Sequence, residues 1–352
     1  MNDVPAQPLP ADSTPPHRRR PRYAGKYPRR FEEKYKELNP DRFKVTVAKV
    51  LASGKTPAGT HRPIMVAEVL EALSLQAGNI AADCTLGYGG HAQALLPRLL
   101  PGGRLIGLDA DPIELPKTEA RLRALGFGPE ALTVRRSNYA GLPRILAELD
   151  LPGVDGVLAD LGVSSMQLDD PARGFSTKTD GPLDMRMNPQ AGRPAAVLLE
   201  KLAPEALQRL LEENADEPHA APLGTALAGR HFSSTGRLAR AIRETLPRIG
   251  LEECELTVRR VFQALRIAVN DEFSALDTLL RLLPTCLNPA GRAVLLTFHS
   301  GEDRRVKKAF EAGRQAGLYA EIAEEIIRPS SVERHDNPRS SSAKLRWARR
   351  AG

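Results

Sequence analysis

The chain has 352 residues, 41% of them hydrophobic and 26% charged, with a formal net charge of +7. That length allows one large domain or two ordinary ones, and the balance is that of a soluble globular protein able to bury a core. No apolar run approaches the roughly 20 residues of a membrane-spanning helix, and the proline-rich, acid-containing start resembles neither a secretory nor a transit signal. Cys84, Cys254 and Cys286 lack the spacing of a disulfide framework or a zinc site, so no metal is expected and a cytoplasmic location is.

The excess charge is confined to one end. Residues 1–55 carry 13 Lys/Arg against 6 Asp/Glu, while the remainder carries 37 of each sign. This segment reads as a basic, flexible arm with a short helix near Phe31–Leu38 stopped by "NP". Arginines and lysines alternate there with Tyr23, Tyr27, Phe31 and Tyr35, a mixture that attracts phosphates and can stack on bases. A solvated tail kept soluble by charge has the same composition.

From His61 the pattern becomes regular. "PIMVAEVLEAL" has helical apolar spacing, "NIAADC" reads as a strand and "GHAQALLPRLL" as a helix. "GRLIGLDAD" and "PIELPKTEARLRALG" repeat the unit, "LTVRRSNYAGL" and "LPRILAEL" repeat it again, and "VDGVLADLG" supplies a fourth strand. Such alternation predicts a mostly parallel, doubly wound sheet. From about Val163 to Leu256 the chain is polar, loop-rich and helical. The alternation resumes with a long helix, "RRVFQALRIAVNDEFSALDTLLRLLPTCL", and a strong strand, "GRAVLLTFHS". The expected division is an arm over 1–55, an α/β domain over 56–163 and 257–352, and a helical insertion over 164–256. The end of the chain, "NPRSSSAKLRWARR", reads as a second basic patch with Arg339, Lys344, Arg346, Arg349 and Arg350 around Trp347.

The turn after the first strand, "DCTLGYGGHA", lacks the GK[ST] of a P-loop but satisfies the G-x-G-x-x-A dinucleotide pattern from Gly87 through Gly89 and Gly90 to Ala92. Asp83, just before the glycines, decides between ligands. A carboxylate there repels a pyrophosphate and attracts the sulfonium and ammonium of S-adenosylmethionine. Asp83 is then expected near the methionine end and Asp109, after the second strand, on the ribose. Alternatively Asp83 is a helix cap and the glycines are ordinary turn residues. Asp160 ends the fourth strand, where open α/β sheets bind substrate. An acceptor at that point can orient an exocyclic amine and offset its developing charge, with the Gly162–Ser165 backbone beside it.

Taken together, "HRPIMVAEVLEAL", "DCTLGYGGHAQALL", "GRLIGLDADP", "VDGVLADLGVSSMQLDDPARGFSTKTDGPLDMRMNP", "FQALRIAVNDE" and "TFHSGEDRRVKKAF" resemble the RsmH (MraW) methyltransferases in order and spacing. The resemblance runs from about His61 to Arg350, and the arm lies outside the usual family pattern. It implies a class I S-adenosylmethionine-dependent methyltransferase, Rossmann-like, with a helical insertion domain, acting on the N4 amine of a cytosine in the decoding centre of 16S rRNA. It further implies cofactor contacts at Gly89, Gly90, His91, Asp109, Tyr139, Asp160 and Gln167. Asp160, with Ser164 and Ser165, is expected to position the amine. The expected partners are 16S rRNA and the small ribosomal subunit, held by the insertion, the arm and the basic C-terminus. A homodimer is a further assembly to test, and no membrane is involved.

The chain also departs from the family. A "GEERFA"-like stretch reads "NADEPHAAPLG", a His-Pro-x-Thr-Arg element reads "LTVRR" and keeps only Arg260, and "FHSLEDR" has become "FHSGEDR" with Gly301 for leucine. This last motif reads equally as a catalytic element and as a capped strand-to-helix junction. The alternative function is a diverged paralogue that methylates another RNA cytosine or binds rRNA without catalysis. An NAD-dependent oxidoreductase rests on the glycine pattern alone.

Overall fold

The computed structural model describes residues 63–352; the expected arm and its aromatic residues lie outside them. A first helix, α1 (Val66–Leu73), leads into β1 (Ile80–Asp83), α2 (Gly90–Leu99), β2 (Arg104–Asp109), α3 (Glu114–Ala124), β3 (Leu132–Arg136), α4 (Leu142–Glu148) and β4 (Val154–Asp160). After a helical segment come β5 (Leu287–Thr297), α12 (Ser300–Gln315), β6 (Tyr319–Ile322), a short α13 (Ser331–Asp336) and β7 (Lys344–Arg350). The strands form one seven-stranded sheet in the order β3-β2-β1-β4-β5-β7-β6. The first five are mutually parallel, whereas β7 runs antiparallel to both β5 and β6.

Both faces of this sheet are covered, which is why its central strands are almost continuously apolar. Alternate residues feed two clusters. Ile106, Leu108, Val157, Ala159 and Leu295 pack with α4, α12 and the helix Glu272–Cys286 on one face, and Leu105, Leu158, Val294 and Leu296 with α1, α2 and α3 on the other. The doubly wound, mostly parallel sheet expected from the alternation is therefore present, with two strands more than were read. The "KLRWARR" segment is β7, not a surface patch.

Along the chain between β4 and β5 come α5 (Ser165–Asp169), α6 (Ala195–Lys201), α7 (Pro204–Ala215), α8 (Ala220–Leu227), α9 (Thr235–Thr245), α10 (Leu251–Asn270) and α11 (Glu272–Cys286). A separate core gathers Leu199, Leu207, Leu211, Leu223, Leu238 and Ile242 with Val258, Val261, Phe262 and Leu265 of α10. The boundary expected at 256/257 thus falls inside one continuous helix. The chain returns to the sheet at Asp271, whose left-handed φ of 51° separates α10 from α11. The change of core, not a change of composition, marks the crossing.

Candidate active site

The C-terminal tips of β1, β2 and β4 converge on the glycine turn. Gly87 (φ 48°) donates its N–H to Asp109 Oδ2 at 2.7 Å, which locks the turn to the tip of β2. Gly89 (φ 77°) precedes α2 in the left-handed conformation, and a Cβ there would lie 3.0 Å from the Thr118 methyl group. A Cβ on Gly90 would meet the Pro63 ring at the same distance. Close packing disfavours a side chain at both glycines, and at Gly89 the left-handed backbone does so as well.

Asp83 does not cap α2, whose N-terminus has no side-chain cap. Its Oδ1 instead accepts from Thr85 N–H at 3.1 Å, and its Oδ2 is buried with no hydrogen-bond partner. Asp160 Oδ1 is in the same condition, although 26% of that side chain is reached by solvent. Burial pushes the Asp83 carboxyl up to about 6 despite the opposing pull of His91, and pushes Asp160 up to about 7, with the nearby Glu302 carboxylate adding to it. His91 stands between them, its Nε2 2.9 Å from Ile64 O and its Nδ1 3.7 Å from Asp160 Oδ2. Burial holds this imidazole below its ordinary range, so it does not neutralise the pair. Two enclosed carboxylates with unpartnered oxygens form a site short of positive charge.

A second network supports the tip of β2. Asp109 Oδ1 accepts from Asp111 N–H at 2.8 Å. Asp111, 1% exposed, accepts through Oδ2 from Gln167 Nε2 at 2.9 Å and Arg173 Nη1 at 2.8 Å. Arg173 also donates to the carbonyls of Arg186 and Met187, tying the long loop after α5 to the site. Gln167 and Ser164 form a reciprocal cap on α5: Ser164 Oγ accepts from Gln167 N–H and Gln167 Oε1 accepts from Ser164 N–H. Ser165 is the first residue of that helix. The structure therefore gives Gln167 and Ser164 internal partners and places Asp111 and Arg173 behind them. Sequence reasoning missed Asp111, whose signal was the second acid of "DAD". Tyr139 follows β3, donates its hydroxyl to Glu272 O at 3.0 Å and packs its ring against the core under the sheet.

A sequence model of the MraW methylase family matches residues 58–351. The chain belongs to this family. It is 47% identical over 344 residues to "Ribosomal RNA small subunit methyltransferase H 1" of Agathobacter rectalis, covering 95% of this chain and 98% of the relative. It is 48% identical over 342 residues to "Ribosomal RNA small subunit methyltransferase H 2" of Alkaliphilus metalliredigens, covering 95% and 97%. A relative from Halorhodospira halophila, "Ribosomal RNA small subunit methyltransferase H", is 40% identical over 85% of this chain and 97% of its own. The first two alignments cover too much of this chain to begin at residue 58. The basic arm, which stands outside the usual family pattern, is therefore matched in large part in those two relatives.

The β5–α12 junction carries the departure from the family motif. Glu302, 3% exposed, accepts from Phe298 N–H at 2.8 Å and lies 3.1 Å from His299 Nε2. Its pairing with His299 holds its carboxyl below the usual range against the effect of burial, in contrast to Asp160. Glu302 thus reaches back to the end of β5, although α12 itself has no side-chain cap at His299, and it sets a charged carboxylate near Asp160. Gly301 has a local reason: a Cβ there would stand 2.6 Å from Phe273 Cζ and 3.2 Å from His299 Nδ1. The Phe273 ring leans on His299 (centroids 5.8 Å apart) and carries the Arg305 guanidinium 3.6 Å above its own centroid. Phenylalanine fills space that a side chain at 301 would need.

The C-terminal basic residues are a correction to the sequence reading. Lys344 and Arg346 pair with Asp303 at 3.0 and 2.7 Å, Arg349 with Glu321 at 2.8 Å and Arg339 with Asp169 at 2.7 Å, while Arg350 donates to Leu287 O. These charges are paired within the fold, where they hold β7 and its neighbours.

Proposed function

We infer that this protein transfers a methyl group from S-adenosylmethionine to the N4 amine of a cytosine in the 16S rRNA of the small ribosomal subunit. The observation that carries the reading is the pair of enclosed carboxylates, Asp83 and Asp160, each with an unpartnered oxygen beside the glycine turn. Such a pair suits a cationic cofactor and is unsuited to a pyrophosphate. The residues fit the group: Asp83 would face a positive charge of the cofactor, Gly87, Gly89, Gly90 and His91 shape the turn, and Asp109 keeps acceptor capacity that would serve the ribose hydroxyls. Tyr139 and Gln167 border the same edge of the sheet.

Bound S-adenosylmethionine supplies an electrophilic methyl group. Asp160 accepts a hydrogen bond from the exocyclic amine, turns its lone pair towards that carbon and offsets the charge that grows on nitrogen. As the N–C bond forms and the methyl–sulfur bond breaks, with S-adenosylhomocysteine leaving, the amine loses one proton, which Asp160 would accept. Ser164, by capping α5, holds the backbone after β4 in place, and Ser165 follows it as the first residue of that helix. A cysteine nucleophile, which methylation at the C5 carbon of cytosine requires, has no counterpart: Cys84 is buried beside Asp83, and its thiol is pushed well above its ordinary value. The helices between α5 and α11, with the basic arm over 1–55, hold the RNA, and a ribosomal substrate places the enzyme in the cytoplasm. Among the described residues no helix is long and apolar enough to cross a membrane.

The test is methyl transfer from labelled S-adenosylmethionine to small subunits lacking the modification, with the product nucleoside identified by mass spectrometry. N4-methylcytidine in the decoding centre supports the reading. Tight cofactor binding without transfer would favour a paralogue that binds rRNA without modifying it. The unpartnered acids argue against that paralogue, since a binding protein gains nothing from them.

A further inference from the structure

A cleft of about 400 Å³ lies between α7, α10 and the β5–α12 junction. Its walls include Asp216, Leu256, Arg259, Arg260, His299 and Ser300. Most arginines nearby are committed: Arg304 makes a bidentate pair with Asp216 at 2.9 Å, and Arg243 another with Glu255. Arg259 and Arg260 have no hydrogen-bond or ion-pair partner among the described residues. The one carboxylate in the wall, Asp216, already accepts from Arg304 and from the Ser300 hydroxyl. The cleft therefore presents two guanidinium groups that make no direct ion pair, with Asp216 bearing on Arg260 and Glu255 on Arg259 only at longer range. Leu256, 38% exposed, adds an apolar surface one helical turn before Arg260. At the inner end stands His299, which touches Glu302, the carboxylate whose charge bears on Asp160. One wall of the cleft is thus linked to Asp160 through His299 and Glu302.

We propose that this cleft seats the phosphodiester backbone next to the target nucleotide, with Arg259 and Arg260 on consecutive phosphates and Leu256 against a neighbouring base or ribose. The proposal rests on the rRNA methyltransferase reading and names the part of the substrate that this surface takes. Guanidinium groups match phosphate oxygens in fixed, two-pronged geometry, and an apolar neighbour tolerates any base. The placement also explains why Asp216 is clamped by Arg304 and Ser300: an unpaired carboxylate there would repel the RNA.

The experiment compares the wild-type chain with Arg259→Gln/Arg260→Gln, Arg259→Lys/Arg260→Lys and, as a control for lost surface charge, the exposed Arg98→Gln. Binding to deproteinised small-subunit rRNA is measured at several salt concentrations, alongside methyl-transfer kinetics on whole subunits. The glutamine pair is expected to flatten the plot of log affinity against log salt by about 2, one phosphate per arginine. KM should rise at least tenfold with kcat within twofold, while S-adenosylhomocysteine binding stays unchanged. The lysine pair should keep most of the salt slope. A glutamine pair with the slope and KM of Arg98→Gln would overturn the proposal. So would a defect on whole subunits but not on naked rRNA, which would point to an acidic ribosomal protein. If the wild type binds rRNA but methylates none, the functional reading falls while the salt slopes still decide the cleft. If it binds no rRNA, both fall.

Discussion

The backbone N–H of Asp160 donates to the hydroxyl of Thr85 at 2.7 Å, and this bond joins the tip of β4 to the first residues after β1. Thr85 N–H in turn donates to Asp83 Oδ1 at 3.1 Å. One threonine thus sets the spacing of the two acids that the proposed reaction uses. Thr85→Val keeps the shape, removes the acceptor and leaves the Asp160 amide without its partner. The expected cost is about 1–3 kcal/mol in unfolding free energy, and at least a tenfold fall in methyl transfer. A denaturant titration beside steady-state kinetics measures both; wild-type activity in a destabilised variant would remove the positioning role.

Asp160→Asn and Asp83→Asn should abolish or cripple transfer while making the apo protein more stable above neutral pH. The sign follows from the raised values of about 7 and about 6. The folded chain keeps protons that the unfolded chain releases above its ordinary value of 3.8, so these groups lower stability progressively as pH rises towards 6 and 7, and no further beyond. The difference in melting temperature between variant and wild type should widen from pH 4 to about pH 7 and then level off. A difference independent of pH would contradict the assigned burial.

The same ionisations couple to the cofactor. A sulfonium and an ammonium favour the charged acids, so affinity for S-adenosylmethionine should increase between about pH 5.5 and pH 7.5 with proton release on binding. Titration calorimetry in two buffers of different ionisation enthalpy detects that release. Asp83→Asn should weaken binding and remove most of the proton release.

Replacing Gly301 with the leucine usual in the family should destabilise this chain by about 1–3 kcal/mol, because the new side chain overpacks the space of Phe273. Phe273→Ala should cost stability by itself by leaving a hole under Arg305. The double variant should lose less than the two single losses together, which a double-mutant cycle reads directly. Additive losses would mean that the two positions do not share space.

Arg173→Leu should be among the most damaging changes away from the reacting atoms. It leaves the buried Asp111 carboxylate with Gln167 and backbone donors but without its cation, a loss of about 3–5 kcal/mol when a buried pair is broken from one side. Since Asp111 orients both Asp109 and Gln167, S-adenosylhomocysteine affinity should fall with it. Thermal unfolding with and without that ligand separates the two effects.

Local pattern in the chain determined the alternation of strands and helices, the glycine turn and the acids at the tips of β1, β2 and β4. These are readable because strand period, turn chemistry and strand-end position depend on residues a few places apart. The family motifs from His61 onward were legible for the same reason. What the pattern concealed was set by partners far along the chain. β7 reads as a basic tail because Arg346 looks solvated until Asp303, 43 positions earlier, is placed against it. Helix α10 changes owner without changing composition, because only its contacts show that Val258 to Leu265 pack with α6–α9 rather than with the sheet. Gln167 carries a motif, but the tertiary structure gives its amide to Asp111. Gly301 looks like a lapse from the family until Phe273 is seen to occupy the space. Charge and volume are compensated across the fold, so their meaning at any one residue is decided by what folding brings beside it.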